Sequence, residues 1–265
     1  MAELAVLYGR LVGARIRGQL EYRASLALQI VATATITLVD LVAIVVIFQN
    51  VPELDGWRLE EVALLYAIAT ISFAFTDLAI GHLDLFPEMI RDGTFDLLLV
   101  RPLPSLVQVA AADFSLRRVG KVLQGLAVLA YALVQLDVEW TPGRALLLPL
   151  AIVSGAVLYA AVWISLATIA FRIVDAIEVV NAFTYGGSFL SQYPISIFGR
   201  WLRGFVLFVI PLAFVAYYPA RTLLGKDGVG PAELGYLSPA IAAVAAVVAY
   251  TVWERAVRRY RSAGG

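Results

Sequence analysis

The stretch IRDGTFDLLLVRPLP, Ile90 to Pro104, is a charged segment marked by glycine and proline and set between two long apolar runs. Read locally, Phe86 to Arg91 forms a short helix with Pro87 in its first turn, and Gly93 supplies the left-handed residue that ends it. The chain then re-enters with Leu97, Leu98, Leu99 and Val100, and turns at Arg101-Pro102-Leu103-Pro104. Such a segment packs against the base of its neighbours while showing Glu88, Arg91, Asp92 and Asp96 to water. By itself a charged connection is only a solvated loop. Its meaning depends on what the flanking runs are.

Those runs belong to a chain of 265 residues that is 61% hydrophobic and 15% charged, with mean hydropathy +0.84. A soluble globule of that composition would expose large apolar patches, so an integral membrane protein is expected. A helical span takes about 20 apolar residues, which allows roughly five to seven spans and leaves little for a separate soluble domain. One membrane domain, residues 1–265, is the expected organisation. The absence of cysteine excludes a disulfide framework and cysteine-based redox or metal chemistry. Nothing in the charge pattern supports nucleic-acid binding.

Six runs are long enough to cross: Ala24 to Phe48, Val62 to Leu83, Leu106 to Leu136, Ala145 to Phe171, Val179 to Phe198 and Leu237 to Trp253. A seventh, Phe205 to Tyr218, is split by Pro211 and stopped by Pro219. Basic residues at both ends, from Arg10 to Arg23 and from Arg255 to Arg261, place both termini in the cytoplasm and require an even number of crossings. Six spans satisfy this. Residues 53–61, 137–144 and 199–239 then face outside, and 86–105 faces inside with Arg117, Arg118 and Lys121 nearby. Arg200, Arg203 and Arg221 run against the rule, and a re-entrant pair in the outer leaflet accounts for Phe205 to Tyr218 if its backbone is buried in protein. Before the first span, Leu4, Leu7, Tyr8, Leu11 and Val12 share a helical face opposite Arg10 and Arg17, the pattern of an amphipathic interfacial helix; Arg15 falls on the apolar side. The arginines also interrupt any cleavable signal, so this segment is expected to be retained.

The run after the second span resembles the segment following helix two in type 2 ATP-binding cassette (ABC) transporter permeases. There a charged pair precedes Gly-Thr, an acidic residue, a leucine pair and Pro-Leu. The matching positions are Arg91, Asp92, Gly93, Thr94, Asp96, Leu97, Leu98, Pro102 and Leu103. The layout is similar too: a basic amphipathic start, six spans and a long outer segment before the last helix. The continuation RPLPSLVQV looks most like the subgroup with two different permeases beside one ATPase. The resemblance implies an all-α membrane protein in which Pro87 to Asp96 is a cytoplasmic coupling helix between spans two and three, with Glu88, Arg91, Asp92, Gly93, Thr94 and Asp96 meeting the motor. It implies a cytoplasmic ATPase dimer that holds ATP and magnesium, and a second permease subunit, identical or related. The sequence itself contains no G-x-x-x-x-G-K-[ST] loop, so the nucleotide chemistry is assigned to another polypeptide.

Ionisable and polar residues inside apolar runs are costly and are candidates for a pathway. Asp40 in the first run either lines a path or is bonded to a neighbouring helix or to Thr37. Asp77, Gly81 and Asp84 share one face of the second helix, which either pairs with cationic groups or is ordinary solvated charge. On the fifth run Asn181, Thr184, Tyr185, Ser188, Ser191 and Gln192 recur at three- and four-residue steps, a stripe that faces a substrate path or a partner helix. His82 is the single histidine, and no metal-ligand spacing surrounds it. An intramembrane enzyme would need convergent catalytic groups, of which only Asp40, Asp77 and His82 offer any. A scaffolding membrane protein would show no nucleotide-dependent partner and no change in substrate flux on deletion, and a secondary transporter would usually show internal repeats and coupling-ion residues, which this sequence does not. The favoured expectation is an ABC permease subunit that exports a hydrophobic or amphipathic molecule.

Overall fold

The computed structural model describes residues 2–112, 114–173 and 177–261, with side chains described except at residues 2–7, 11, 177 and 179. Among these residues the regular structure is helical. The N-terminal run forms α1 (Ala2–Leu20). Its buried side meets protein: Val12 is buried, and the Tyr8 hydroxyl donates to the Ala79 carbonyl at 2.8 Å. Burial pushes the Tyr8 phenol above its ordinary range, which keeps it a donor. Gln19 clamps the far end, donating to the Phe114 carbonyl at 2.5 Å and accepting from the Leu116 amide at 2.8 Å. Arg10, Arg15 and Arg17 are exposed, so Arg15 leaves the apolar side expected of it. Leu4, Leu7 and Leu11 have side chains outside the described ones.

The first two apolar runs become helices of opposite character. α2 (Arg23–Asn50) has Ile44 as its one buried residue among those described and exposes Leu28, Val31, Ile36 and Val39. α3 (Leu59–Ile80) is buried along most of its length, with Phe75 exposed, and is the central helix. In hydrocarbon a helix surrounded by others gains from small residues and interhelical hydrogen bonds. The Ser72 hydroxyl donates to the Ile152 carbonyl and the Thr76 hydroxyl to the Ala156 carbonyl, at 3.0 and 2.8 Å. A Cβ on Gly155 would collide with Ser72, so glycine is what lets α8 (Pro142–Ala167) approach α3 this closely.

Among the described residues four helices are long and apolar enough to cross a membrane: Arg23–Asn50, Leu59–Arg91, Pro142–Phe171 and Ala232–Arg259, the last containing α12 (Ser238–Arg259). A fifth is counted if the bent pair Arg200–Val209 and Leu212–Leu224, at 75°, is one span. Two of the six expected spans are shorter than read. The Leu106 to Leu136 run divides into α6 (Ser105–Ala111) and α7 (Val119–Gln135), because Gln19 holds the backbone at 114–116 away from the helix and Arg118 turns toward a buried carboxylate. The Val179 to Phe198 run becomes α9 (Ile177–Leu190), after which the chain turns at Ser191 to Pro194. Its 14 residues extend about 21 Å, less than the hydrocarbon thickness.

The segment 199–239, expected outside, holds most of its own basic residues in place. The bend falls at Pro211, which cannot continue a helix, and the segment carries short α10 (Arg200–Gly204) and α11 (Tyr217–Leu224). Arg221 is 1% exposed and donates to three carbonyls, Lys226 at 3.1 Å, Val229 at 2.8 Å and Gly230 at 3.0 Å. Arg203 donates to Ser196 and Phe198 carbonyls. Lys226 pairs with Glu61 at 2.7 Å and lies over the Trp57 ring, tying the segment to the start of α3. Arg203, Arg221 and Lys226 are thus consumed in folding the loop, whereas Arg200 is exposed.

Replacing Arg221 with Leu is expected to destabilise the protein by about 3 kcal/mol, since three buried acceptors lose their donor. Thermal melting of the solubilised chain measures this; Arg200→Leu, at an exposed site, is expected to melt like the parent.

Candidate functional site

Two regions gather the functional candidates. At the base of α3, a 3-10 turn (Gly81–Leu85) leads into α4 (Phe86–Arg91), and after one intervening pair the chain forms α5 (Thr94–Leu99). Gly93 joins them at φ 69°, the left-handed region that favours glycine. The underside is pinned. Phe86 and Phe95 are fully buried and form one aromatic cluster with Phe171 at the end of α8 and Trp253 and Tyr260 on or after α12, with ring centroids between 5.0 and 6.4 Å apart. Trp253 also donates to the Ser105 hydroxyl at 3.2 Å, and Gln108 donates to the Leu98 and Leu103 carbonyls.

The opposite face is open. Arg91 and Asp92 are exposed and 3.5 Å apart, Thr94 donates to the Met89 carbonyl, and Glu88 and Asp96 are half-buried. The sequence led us to expect Leu97 to Val100 to turn inward. Instead Leu97 is 63% and Val100 81% exposed, and Leu99 is exposed beside them. Gly93 begins a second helix, so successive side chains rotate around its axis and only Phe95 and Leu98 face the cluster.

The second region is a polar cavity of about 180 Å³ between α2, α3, α7 and α9. Asp40 enters from α2, Lys121 from α7, and Tyr185, Ser188 and Gln192 from α9 and the turn after it. Tyr66 and Thr70 of α3 complete it. No hydrogen bond reaches the Asp40 carboxylate among the described residues, so the expected bond to Thr37 is absent; Thr37 instead donates to carbonyls of its own helix. The Tyr66 hydroxyl donates to the Thr37 carbonyl and accepts from Gln124, whereas the buried Gln192 carbonyl oxygen has no partner among the described residues.

Beside the cavity, Asp77 is buried rather than solvated. Lys121 Nζ donates to Asp77 Oδ2 at 3.0 Å, and Arg118 Nε lies 3.0 Å from Oδ1 in an ion pair bent away from hydrogen-bond geometry. Asp84 accepts from the Tyr185 hydroxyl at 2.6 Å. The acidic face of α3 therefore grips α7 through Asp77 and α9 through Asp84. Of the other stripe residues, Thr184 bonds to the Val180 carbonyl and Ser191 to Gly187, both within the local chain, and Asn181 lies outside the cavity.

Lys121, Gln124, Tyr66 and Thr70 were not singled out as site residues by sequence. A usable signal existed: Asp77 lies in the second half of one apolar run and Arg118 and Lys121 in the first half of the next, so antiparallel neighbours would bring them together.

The chain belongs to the family described as ABC-2 family transporter protein, which matches residues 34–264. It is thus a membrane protein and the permease subunit of an ABC transporter, a class of subunit that works with ATP-binding cassette partners. No curated protein and no solved structure matches the chain.

Asp77→Asn and Lys121→Gln are each expected to destabilise the fold, the first by about 3 kcal/mol because it leaves two cations beside a neutral amide. In a double-mutant cycle read by melting, their coupling is expected at about 1–3 kcal/mol.

Proposed function

We propose that this chain is the permease of an ATP-driven exporter for a hydrophobic or amphipathic molecule in a cell inner or plasma membrane. Both termini are cytoplasmic, and the chain makes six crossings, with α7 and α9 as the two short ones and residues 205–218 as the re-entrant element. A separate cytoplasmic ATPase dimer holds ATP and magnesium and docks on the open face of α4 and α5, through Glu88, Arg91, Asp92, Gly93, Thr94 and Asp96. A second permease, identical or related, completes the pathway.

The observation that carries this reading is the aromatic cluster. Phe86 and Phe95 sit on the docking element, while Phe171 and Trp253 sit at the ends of α8 and α12. Force applied to α4 and α5 then reaches two long helices through buried rings, and close-packed interiors transmit displacement with little loss. The pathway is assigned to the polar side: Asp40, Tyr185, Ser188 and Gln192 around the cavity, with Asp77 holding Lys121 at its edge and Asn181 and Thr184 further along α9. A different motor site and a purely structural role are outcomes that the experiment separates.

Replacing Asp92-Gly93-Thr94 by an unrelated flexible linker is expected to abolish co-purification of the ATP-binding partner and ATP-driven transport while leaving the melting temperature of the permease near that of the parent. Retained binding and transport would assign the motor to another surface.

A further inference from the structure

α8 and α12 pack along a seam that carries more than packing. On α8, Leu158, Val162, Ser165 and Ile169 advance by three or four residues and end at Arg172; on α12, Ile241, Val244, Val248 and Val252 do the same and end at Arg255 and Arg259. That spacing makes each set one stripe. Two cavities lie along these stripes, one turn apart on both helices. The upper, about 420 Å³, is bounded by Val162, Leu166, Val244 and Val248 and closed at the far end by Phe208 to Pro211. The lower, about 520 Å³, is bounded by Ile169, Val252 and Ala256 and ends at the three arginines.

The geometry points to a binding site for one anionic phospholipid of the cytoplasmic leaflet, phosphate on Arg172, Arg255 and Arg259 and an acyl chain in the trough above them. Charge supplies the first argument. All three arginines are exposed, and none is in an ion pair among the described residues. Guanidinium groups match phosphate oxygens in a bidentate manner. Length supplies the second. From Arg259 to Val248 the helix rises about 16 Å, close to one hydrocarbon leaflet of about 15 Å. Chemistry supplies the third: the trough continues at membrane height, between Val244 and Val248 on one wall and Val162 and Leu166 on the other, where a soluble protein cannot follow. The site also adjoins the machinery, because Phe171 borders the lower cavity and belongs to the aromatic cluster under α4 and α5. A bound lipid would brace that cluster. The choice of leaflet rests on the proposed topology; the site itself does not depend on what the chain transports.

The test uses the full-length chain in nanodiscs of mixed phosphatidylglycerol and phosphatidylcholine, released into detergent and weighed by native mass spectrometry. One phosphatidylglycerol per chain is expected to be retained. The triple variant Arg172→Gln, Arg255→Gln, Arg259→Gln is expected to retain it about a hundredfold more weakly. The corresponding triple Lys variant, which keeps the charges that orient the chain, is expected to lie between the two. Val248→Trp fills the trough without touching the arginines and is also expected to weaken retention; if it fails to accumulate, the arginine variants decide alone. Glycerol phosphate, which carries the headgroup chemistry without chains, is expected not to compete. Equal retention by parent and Gln variant would overturn the proposal. So would displacement by glycerol phosphate, or unchanged lipid with loss of the ATP-binding partner, which would give the arginines to that protein.

Discussion

Phe86 and Phe95 constrain this structure more than any other pair. They lie on two helices of six residues each, too short to hold their shape in isolation, and each places a complete ring inside the protein. A fully buried phenylalanine contributes roughly 1.5–3 kcal/mol by area alone, and edge-to-face partners add to it. The polar segment between two apolar runs is therefore a fixed part of the base, attached on one side and open on the other. That asymmetry is what the proposed docking of a motor on this segment relies on.

Higher in the protein, the same logic operates through charge. A carboxylate taken out of water is tolerated only with partners, and Asp77 has two, both on the neighbouring helix or the turn that begins it. Lys121 faces the polar cavity as well as Asp77, so one cation links the packing of α3 and α7 to the space bordered by Asp40 and Gln192. In the proposed mechanism, a change in helix position at the base, where α3 runs into α4, would reach this pair. Structure and proposed transport meet there.

Much of this was legible in the residues. Composition identified a membrane protein, Pro87 and Gly93 marked the helix and its end, and of the stripe Asn181, Thr184, Tyr185, Ser188, Ser191 and Gln192 three members, Tyr185, Ser188 and Gln192, line the polar cavity. What was hidden depends on distance in sequence. Hydropathy sees Leu106 to Leu136 as continuous because it cannot know that Gln19, about a hundred residues away, holds residues 114–116 out of the helix. Arg221 reads as a misplaced orientation signal because its carbonyl partners are created by a loop that exists only once folded. The outward turn of Leu97 and Val100 was missed for a local reason: glycine can begin a helix as well as end one, and periodicity over four leucine-like residues does not distinguish the two.

The absence of native cysteine makes the central claim directly testable. Arg91→Cys and Leu97→Cys, each carrying a benzophenone maleimide in transport-competent membranes, should photo-crosslink the ATP-binding partner with a yield that changes between nucleotide-free and ATP-bound states. Glu53→Cys, before α3, serves as the comparison. A partner captured from Glu53 but from neither Arg91 nor Leu97 would contradict the account and move the motor away from α4 and α5.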